Sequence, residues 1–353
     1  MQIEVITDIG KFKALRTEWN ALLGKSGINN PFLRHEWLTS WWKGYGAGKK
    51  LCVVRFKDNG KTIGFAPLMQ YKARLLGLPV ETIGFISNHW TRMDFILTDG
   101  RRACLEQLLS LLFKTNCVAI FAQMEKTSEN YVQIISILKE KGARYIETLK
   151  YHSFINLKDT WAGYLKEQSK NFRADFKKKL KRLQKIGEVS LSSQDSPCNR
   201  DLKEVQEVAQ GSWQAKKGVN VITQEQGNAF YNVLVDEWQG KKDLDFSILK
   251  VGHQPVSYMV GVKNNGCYFA FDTAYKKDFD KYSPGMLMHN LLLEKLHNNG
   301  TQRFDFGYIA DYKKHWTEDK TEMMDMTIFP NTVGGAILYY LRRMKNLSER
   351  GRK

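Results

Sequence analysis

The densest run of groups able to do chemistry lies in the last third of the chain. Tyr282-Ser283-Pro284-Gly285 separates the strand-like CYFAFDTAY from the apolar MLMHNLLLEKLHNNG. A strand that feeds a helix through a short glycine-bearing loop brings free backbone N–H groups and the positive end of the helix dipole together, a geometry that binds phosphate without a side chain. Gly285 near the first turn would let a pyrophosphate approach the backbone. Ser-Pro-Gly also reads as ordinary capping, with Ser283 as N-cap and Pro284 as first helical residue. Downstream, Asp305 sits among aromatic neighbours in Phe304-Asp305-Phe306-Gly307. Burial there would raise its pKa toward the range useful for a general base, whereas an Asp beside Gly at a strand end is also a common turn-former. Lys313 can neutralise an oxyanion or a carboxylate, and Tyr312 can donate a proton or stack on a sugar ring. Asp272 is a charge on a strand expected to line a cleft, with a paired structural role as its competing reading.

Other residues carry weaker signals. Of the histidines nearest these segments, His89, His289 and His315, the second falls in the first turns of the apolar helix and reads as a satisfied, semi-buried side chain. No HExxH or comparable spacing relates the seven histidines, and the five cysteines contain no CxxC pair. Neither a metal site nor a disulfide framework follows from such scattered ligands. Trp37, Trp41 and Trp42 share one helical face, a spacing typical of a core stripe.

The elements that must position these groups are legible from periodicity. LCVVRFK and KTIGFAPLMQ flank Asp58-Asn59-Gly60 as a hairpin. VETIGFI and TRMDFIL read as strands, followed by a helix over about 101–114, the strand CVAIFAQM, a helix ending near Gly142, and extended chain through RYIETLKYHSFINL. A basic helix over 170–185 and a helical stretch over about 201–240 precede DFSILKV, VSYMVGVK and CYFAFDTAY, an antiparallel meander. The apolar helix, stopped by Gly300, and the strand TQRFDFGYI follow. Each half thus reads as several antiparallel strands, a helix and a strand: an α+β fold of two similar domains, each a mostly antiparallel mixed sheet flanked by helices. The expected division is 1–150, 151–332, and a basic amphipathic tail over 333–353.

Composition limits the function classes. At 353 residues with 42% hydrophobic content, the chain can bury two cores and is not disordered. It has no apolar run of transmembrane length, and its start lacks the pattern of a cleaved signal peptide, so a cytoplasmic location is expected. The net charge of +17 points to an anionic partner. The excess is concentrated: KEQSKNFRADFKKKLKRLQK holds nine basic and two acidic residues, and LRRMKNLSERGRK six and one. In the first of these, Phe172, Phe176, Leu180 and Leu183 form an apolar stripe, the mark of a docked helix with a solvated basic face or of a surface for phosphate-rich acceptors or anionic membranes. The tail, with Ile337, Leu338, Tyr340 and Leu341 beside Arg342, Arg343 and Lys345, is similarly amphipathic.

Taken together, Tyr282-Ser283-Pro284-Gly285 with its apolar helix, Phe304-Asp305-Phe306-Gly307, and Tyr312-Lys313 before Trp316 resemble the C-terminal signature of the CelD/BcsL-like acyltransferases. These belong to the GNAT superfamily and are related to the Fem-type aminoacyl transferases. Ser169 and Arg173 with KKLKRLQKIGEV are similar to the basic helix of that family, Ser212-Trp213 before Lys216-Lys217-Gly218 to its Trp-to-Gly segment, and Asn30-Pro31-Phe32 with Trp37, Trp41 and Trp42 to its opening. The loop Tyr308-Ile309-Ala310-Asp311 departs from the family by being shorter and lacking a glycine, which points to a different acceptor or to reduced activity.

The resemblance implies two GNAT-like folds and acyl transfer, the second domain holding an acyl-CoA, acetyl-CoA foremost, as co-substrate, with no permanently bound cofactor. It assigns Asp305, Lys313 and Tyr312 to catalysis, Tyr282, Ser283, Gly285 and Met286 to donor binding, and Arg173, Trp213 and Asp272 to the acceptor. The implied acceptor is an amine or hydroxyl of a sugar or other cell-envelope precursor, met in the cytoplasm or at the inner face of the membrane. Two rival readings stand beside it: a Fem-type enzyme that draws its amino acid from tRNA, which suits the charge, and a non-catalytic binding protein of a polysaccharide-producing complex.

Overall fold

A computed structural model describes residues 1–88, 90–157 and 160–350, with side chains in the last helix described to residue 345. The chain forms two compact units. The first comprises Met1–Trp42, Gly46–Tyr151 and Glu322–Lys353; the second comprises His152–Thr321 together with Lys43–Tyr45.

In the first unit the hairpin expected around Asn59-Gly60 joins strands Val53–Asp58 and Lys61–Ala66. Asn59 and Gly60 have φ of 48° and 79°, the left-handed pair that matches a two-residue turn to strand twist. Strand Gln2–Ile6 adds antiparallel to one edge of this hairpin, and Ile96–Leu97 to the other. A second sheet runs in the order Lys320–Ile328, Val118–Glu125, Leu78–Phe85, Leu68–Leu75 and Lys50–Leu51. Its one parallel pair among the described residues, Leu78–Phe85 with Val118–Glu125, brackets helix Arg101–Phe113 in sequence. Of the strand expected over TRMDFIL only Ile96–Leu97 is extended and paired. The Asp94 carboxylate accepts from its own neighbour, the Phe95 N–H, at 2.7 Å, a local bond that competes with ladder pairing.

The second unit carries strands in the order Val189–Gln194, Leu244–Val251, Gln254–Asn264, Cys267–Tyr275, Arg303–Tyr308, and the end of Tyr145–Asn156. The three middle hairpin strands form the expected antiparallel meander. Helix Pro284–Asn298, the site helix below, crosses from Cys267–Tyr275 to its parallel neighbour Arg303–Tyr308. It buries Leu287, Met288, Leu292, Leu293 and Leu296 against Phe304, Phe306, Trp161 and Trp316.

The basic helix spans Lys170–Gln184. Its apolar stripe is docked: Leu183 is fully buried, and Phe172, Phe176 and Leu180 pack against the same core. Truncating a buried leucine of this kind costs about 2–5 kcal/mol, so this face anchors the helix to the sheet. Lys177, Lys178, Lys181 and Arg182 remain exposed.

The stretch expected to be helical over 201–240 is three helices, Asn199–Gln210, Trp213–Lys216 and Glu225–Trp238. Gly211 ends the first where a Cβ would lie 3.0 Å from Lys276 Cγ. The Asn220 side chain then accepts from the Ile222 and Thr223 N–H groups and holds a turn. The whole is α+β, with antiparallel-dominated sheets flanked by helices.

Candidate functional site

Strands Cys267–Tyr275 and Arg303–Tyr308 pair only from Cys267–Arg303 to Phe269–Asp305, although both continue beyond that point. The second strand bulges between Asp305 and Gly307. Gly307 has φ 70°, and its N–H donates to the Asp305 carboxylate at 2.8 Å. The strands therefore splay. A cavity of about 910 Å³ in this unit is lined by Thr273 and Tyr275 past the point of splay, by Ser283, Gly285, Met286 and His289 at the start of the site helix, and by Phe172, Asp175 and Lys179 of the basic helix. Trp213, Gln214, Tyr312, Lys314 and Trp316 complete much of the remaining wall.

Ser283 occupies the N-cap position but does not act as the expected side-chain cap. Its backbone is left-handed, φ 55° and ψ 53°, and its hydroxyl makes no capping bond. A side-chain cap needs an extended N-cap residue, which aims the oxygen at the N–H groups of the first turn. Pro284, as expected, is the first helical residue. The first N–H groups of this helix are therefore left without a side-chain acceptor, in the wall of a cavity. Lys179 adds a cation at the same place: its Nζ lies 3.5 Å from Met286 Sδ and 2.6 Å from the Asp175 carboxylate. An uncapped helix start beside an ammonium is a site for an anion.

His289 is almost fully buried and stands on the cavity wall. Its ring stacks on Phe306 at 5.7 Å and tilts against Trp316 at 4.8 Å. Nδ1 lies 2.7 Å from the Gly285 carbonyl, four residues back on the helix. A carbonyl can only accept, so Nδ1 carries the proton of the neutral ring and Nε2 keeps its lone pair. Burial holds the pKa down at about 4, so the ring is neutral across the physiological range. A neutral imidazole with a fixed tautomer can accept a hydrogen bond or a proton from a nucleophile.

Asp305 and Lys313 are close by but not on the wall. Asp305 is 2% exposed, with one oxygen on the Gly307 N–H and the other 3.7 Å from Arg303 Nη2. Lys313 donates from Nζ to the carbonyls of Phe306 at 2.7 Å and Tyr308 at 2.6 Å. Desolvation lowers its pKa to about 8, with the Asp305 charge acting the other way. These bonds tie the loop after the bulge into the knot that presents Tyr312 and Trp316 to the cavity. Trp316 is fixed in turn by donating from Nε1 to Asn290 Oδ1 at 2.6 Å.

The remaining residues singled out from sequence divide clearly. Trp213, Ser283, Gly285, Met286 and Tyr312 are on the wall. Tyr282 packs against the core beside it. Arg173 turns its guanidinium to the carbonyls of Leu165, Lys166 and Gln168, closing the end of helix Trp161–Glu167 with a cation. The Asp272 carboxylate accepts from the hydroxyls of Tyr231 at 2.8 Å and Tyr258 at 3.1 Å, and burial raises its pKa. His89 lies outside the described residues. Residue type alone does not separate Lys179 from its basic neighbours; its spacing does, three residues after Phe176 and four before Leu183, at the edge of the apolar stripe. His289, which reads from the sequence as a satisfied, semi-buried side chain, is hydrogen-bonded through Nδ1.

With this geometry in hand, the known relatives can be placed. Residues 170–314 match the family described as an acetyltransferase (GNAT) domain. That match lies wholly in the second unit and makes it a GNAT-type acyltransferase domain. No curated protein matches the chain in sequence. Among solved structures, FemX is similar at 14% identity with a TM-score of 0.61, over 97% of this chain and 99% of that one. L-PGS from Bacillus licheniformis is similar at 13% identity and a TM-score of 0.58, over 97% and 98%. A conserved protein of unknown function from Bacteroides thetaiotaomicron gives 13% and 0.60, over 93% and 99%. At such identities the likeness is one of fold, and it extends over both units.

Proposed function

We propose that the protein transfers an acyl group, acetyl from acetyl-CoA foremost, to an amine or hydroxyl of a sugar or other cell-envelope precursor, as the CelD/BcsL-like acyltransferases do. The observation that carries this reading is the uncapped start of the site helix, set with Lys179 in the wall of the cavity between splayed strands. It suits the pyrophosphate of a CoA thioester, with Ser283, Gly285 and Met286 as the donor-binding backbone and Tyr282 packed behind them. The acceptor enters past Trp213. Its nucleophile gives up a proton toward His289 Nε2 as it attacks the thioester carbonyl, the C–S bond breaks, and the thiolate takes a proton from the Tyr312 hydroxyl. Asp305 and Lys313 hold the loop that presents Tyr312 and act as positioning residues, as do Arg173 at the base of the basic helix and Asp272 behind the strand.

One observation favours a second reading. The exposed cations Lys177, Lys178, Lys181 and Arg182 lie on the same helix as the wall residues Phe172, Asp175 and Lys179, and suit a phosphate-rich donor such as the aminoacyl-tRNA of Fem-type enzymes. Thermal melts with acetyl-CoA, longer acyl-CoAs and aminoacyl-tRNA decide between the two. A true donor at a hundredfold over its Kd adds about 2.7 kcal/mol of stability. Stabilisation by aminoacyl-tRNA alone selects the second reading, and stabilisation by none of them removes both.

A further inference from the structure

The last helix of the first unit, Val333–Arg350, has two apolar faces, and only one is used by the fold. Inward, Leu338 and Tyr339 pack against a small core of Leu75, Val118 and Phe329, with the Tyr339 and Phe329 rings edge to face at 5.6 Å. The helix meets the sheet through a close turn, for a Cβ on Gly335 would lie 2.1 Å from the Pro330 carbonyl oxygen. Outward stand Val333, 80% exposed, Ile337, 55%, Tyr340, 56%, Leu341, 40%, and Met344, 58%. At roughly 100° per residue these five positions fall within an arc of about 100°, directly opposite the docked face. A scattered exposed leucine needs no explanation, but a continuous stripe of large apolar side chains marks an interaction surface.

Charge identifies what covers it. Arg343 and Lys345 lie on the two flanks of the stripe, and the run from residue 341 to the end holds six basic residues and one acidic. The neighbouring hairpin repeats the pattern. Leu76 packs into the same small core, and in its turn Leu78 is 53% exposed, while Lys72 and Arg74 are exposed on the strand leading in. A second copy seated on this stripe by two-fold symmetry would bring like-charged flanks together. An anionic lipid surface instead meets the stripe with acyl chains and the flanks with phosphates. Among the described residues no helix is long and apolar enough to cross a membrane.

We propose that the helix Val333–Arg350 lies in the plane of an anionic bilayer interface, its Val333–Ile337–Tyr340–Leu341–Met344 stripe below the headgroups and Arg343 and Lys345 among their phosphates. This stands independently of the donor and acceptor.

The test is co-sedimentation of the full chain with vesicles of phosphatidylcholine alone and of phosphatidylcholine mixed with phosphatidylglycerol. The parent is expected to bind the mixed vesicles, more weakly as salt rises, and to leave neutral ones in solution. Replacing Ile337, Leu341 and Met344 together by Ser is expected to abolish binding while the thermal transition stays near the parental value, because these side chains are exposed. Arg343→Gln with Lys345→Gln is expected to weaken binding about 30-fold, at about 1 kcal/mol for each charge near the surface, and serves as the deciding variant should the triple replacement fail to fold. Equal binding to both vesicle types, or parental binding by the charge variant, overturns the proposal. So does a parent that is dimeric by light scattering and becomes monomeric on the triple replacement with vesicle binding unchanged, since a second copy is then the occupant.

Discussion

Both units build a parallel strand pair around a crossover helix, and they end it in opposite ways. In the first, Leu78–Phe85 and Val118–Glu125 pair at Thr82–Val118 to Gly84–Ile120. Beyond that point the gap is closed: the Met93 N–H donates to the Gln123 carbonyl at 3.1 Å, and Phe85, Phe95 and Phe121 fill the space with ring centroids 5.0–5.3 Å apart. In the second unit the corresponding gap is open onto a cavity, and the groups at its edge are an uncapped helix start, a neutral imidazole and an ammonium. A strand pair that diverges leaves backbone and volume to be satisfied. Aromatic rings turn that into core, and polar groups facing an open cavity make a candidate site. The GNAT match falls on the open copy alone.

Four substitutions and one titration break or sharpen this contrast. The largest effect is expected at His289. His289→Gln keeps a polar side chain without a comparable proton acceptor, and turnover with the true substrates is expected to fall roughly 10²–10⁴-fold, as for a lost general base, with donor affinity nearly parental. Parental turnover would reduce His289 to wall material. In the closed copy, Phe121→Ala is expected to cost about 3–5 kcal/mol of stability by opening a cavity in the core. Donor affinity of the folded fraction, measured by calorimetry, is expected to stay unchanged; a loss of affinity would mean that the filled gap is also functional.

The glycines at the two helix starts form a matched pair. Gly285→Val crowds the proposed donor site, with its Cβ 3.2 Å from the Tyr275 ring. Loss of two backbone hydrogen bonds to a charged ligand, at about 1.5 kcal/mol each, weakens acetyl-CoA binding about 100-fold. Gly100, with φ 55°, precedes the helix of the closed copy. Gly100→Ala is expected to lose about 1 kcal/mol to backbone strain and to leave donor affinity unchanged.

The last is a titration. The buried His289 has its pKa held at about 4, below the ordinary 6.5, so between these values the unfolded chain takes up a proton that the folded one refuses. Stability is therefore expected to fall as pH drops through this window, by up to about 3 kcal/mol, and His289→Gln to flatten that part of the profile in urea melts.

Sequence reading reached the elements whose patterns are local. The Asn59-Gly60 hairpin, the basic helix, the meander and the Pro284-to-Gly300 helix stand where turn chemistry and periodicity put them. It missed strands whose pairing comes from far away in sequence: Gln2–Ile6 joins a neighbour fifty residues on, and Lys320–Ile328 pairs with Val118–Glu125. At the cavity, residue types single out side chains that the structure places both on the wall and behind it, because side-chain direction is not written in spacing. Asp305 and Lys313 have residue types suited to catalysis, yet Asp305 faces the Gly307 N–H and the Arg303 guanidinium, and Lys313 faces the Phe306 and Tyr308 carbonyls. Lys179 has the look of a solvated cation and lies on the cavity wall beside Met286. Two basic amphipathic helices looked alike, and only the packing distinguishes Lys170–Gln184, whose stripe is buried, from Val333–Arg350, which keeps one outward.

The return of the chain at Glu322 has a consequence for synthesis. The first unit completes its second sheet only with Lys320–Ile328, which pairs with Val118–Glu125. On the ribosome, the unit that begins the chain is therefore the last to finish, and the second unit, whose meander and site helix are contiguous, can be made and folded while its predecessor still lacks an edge strand.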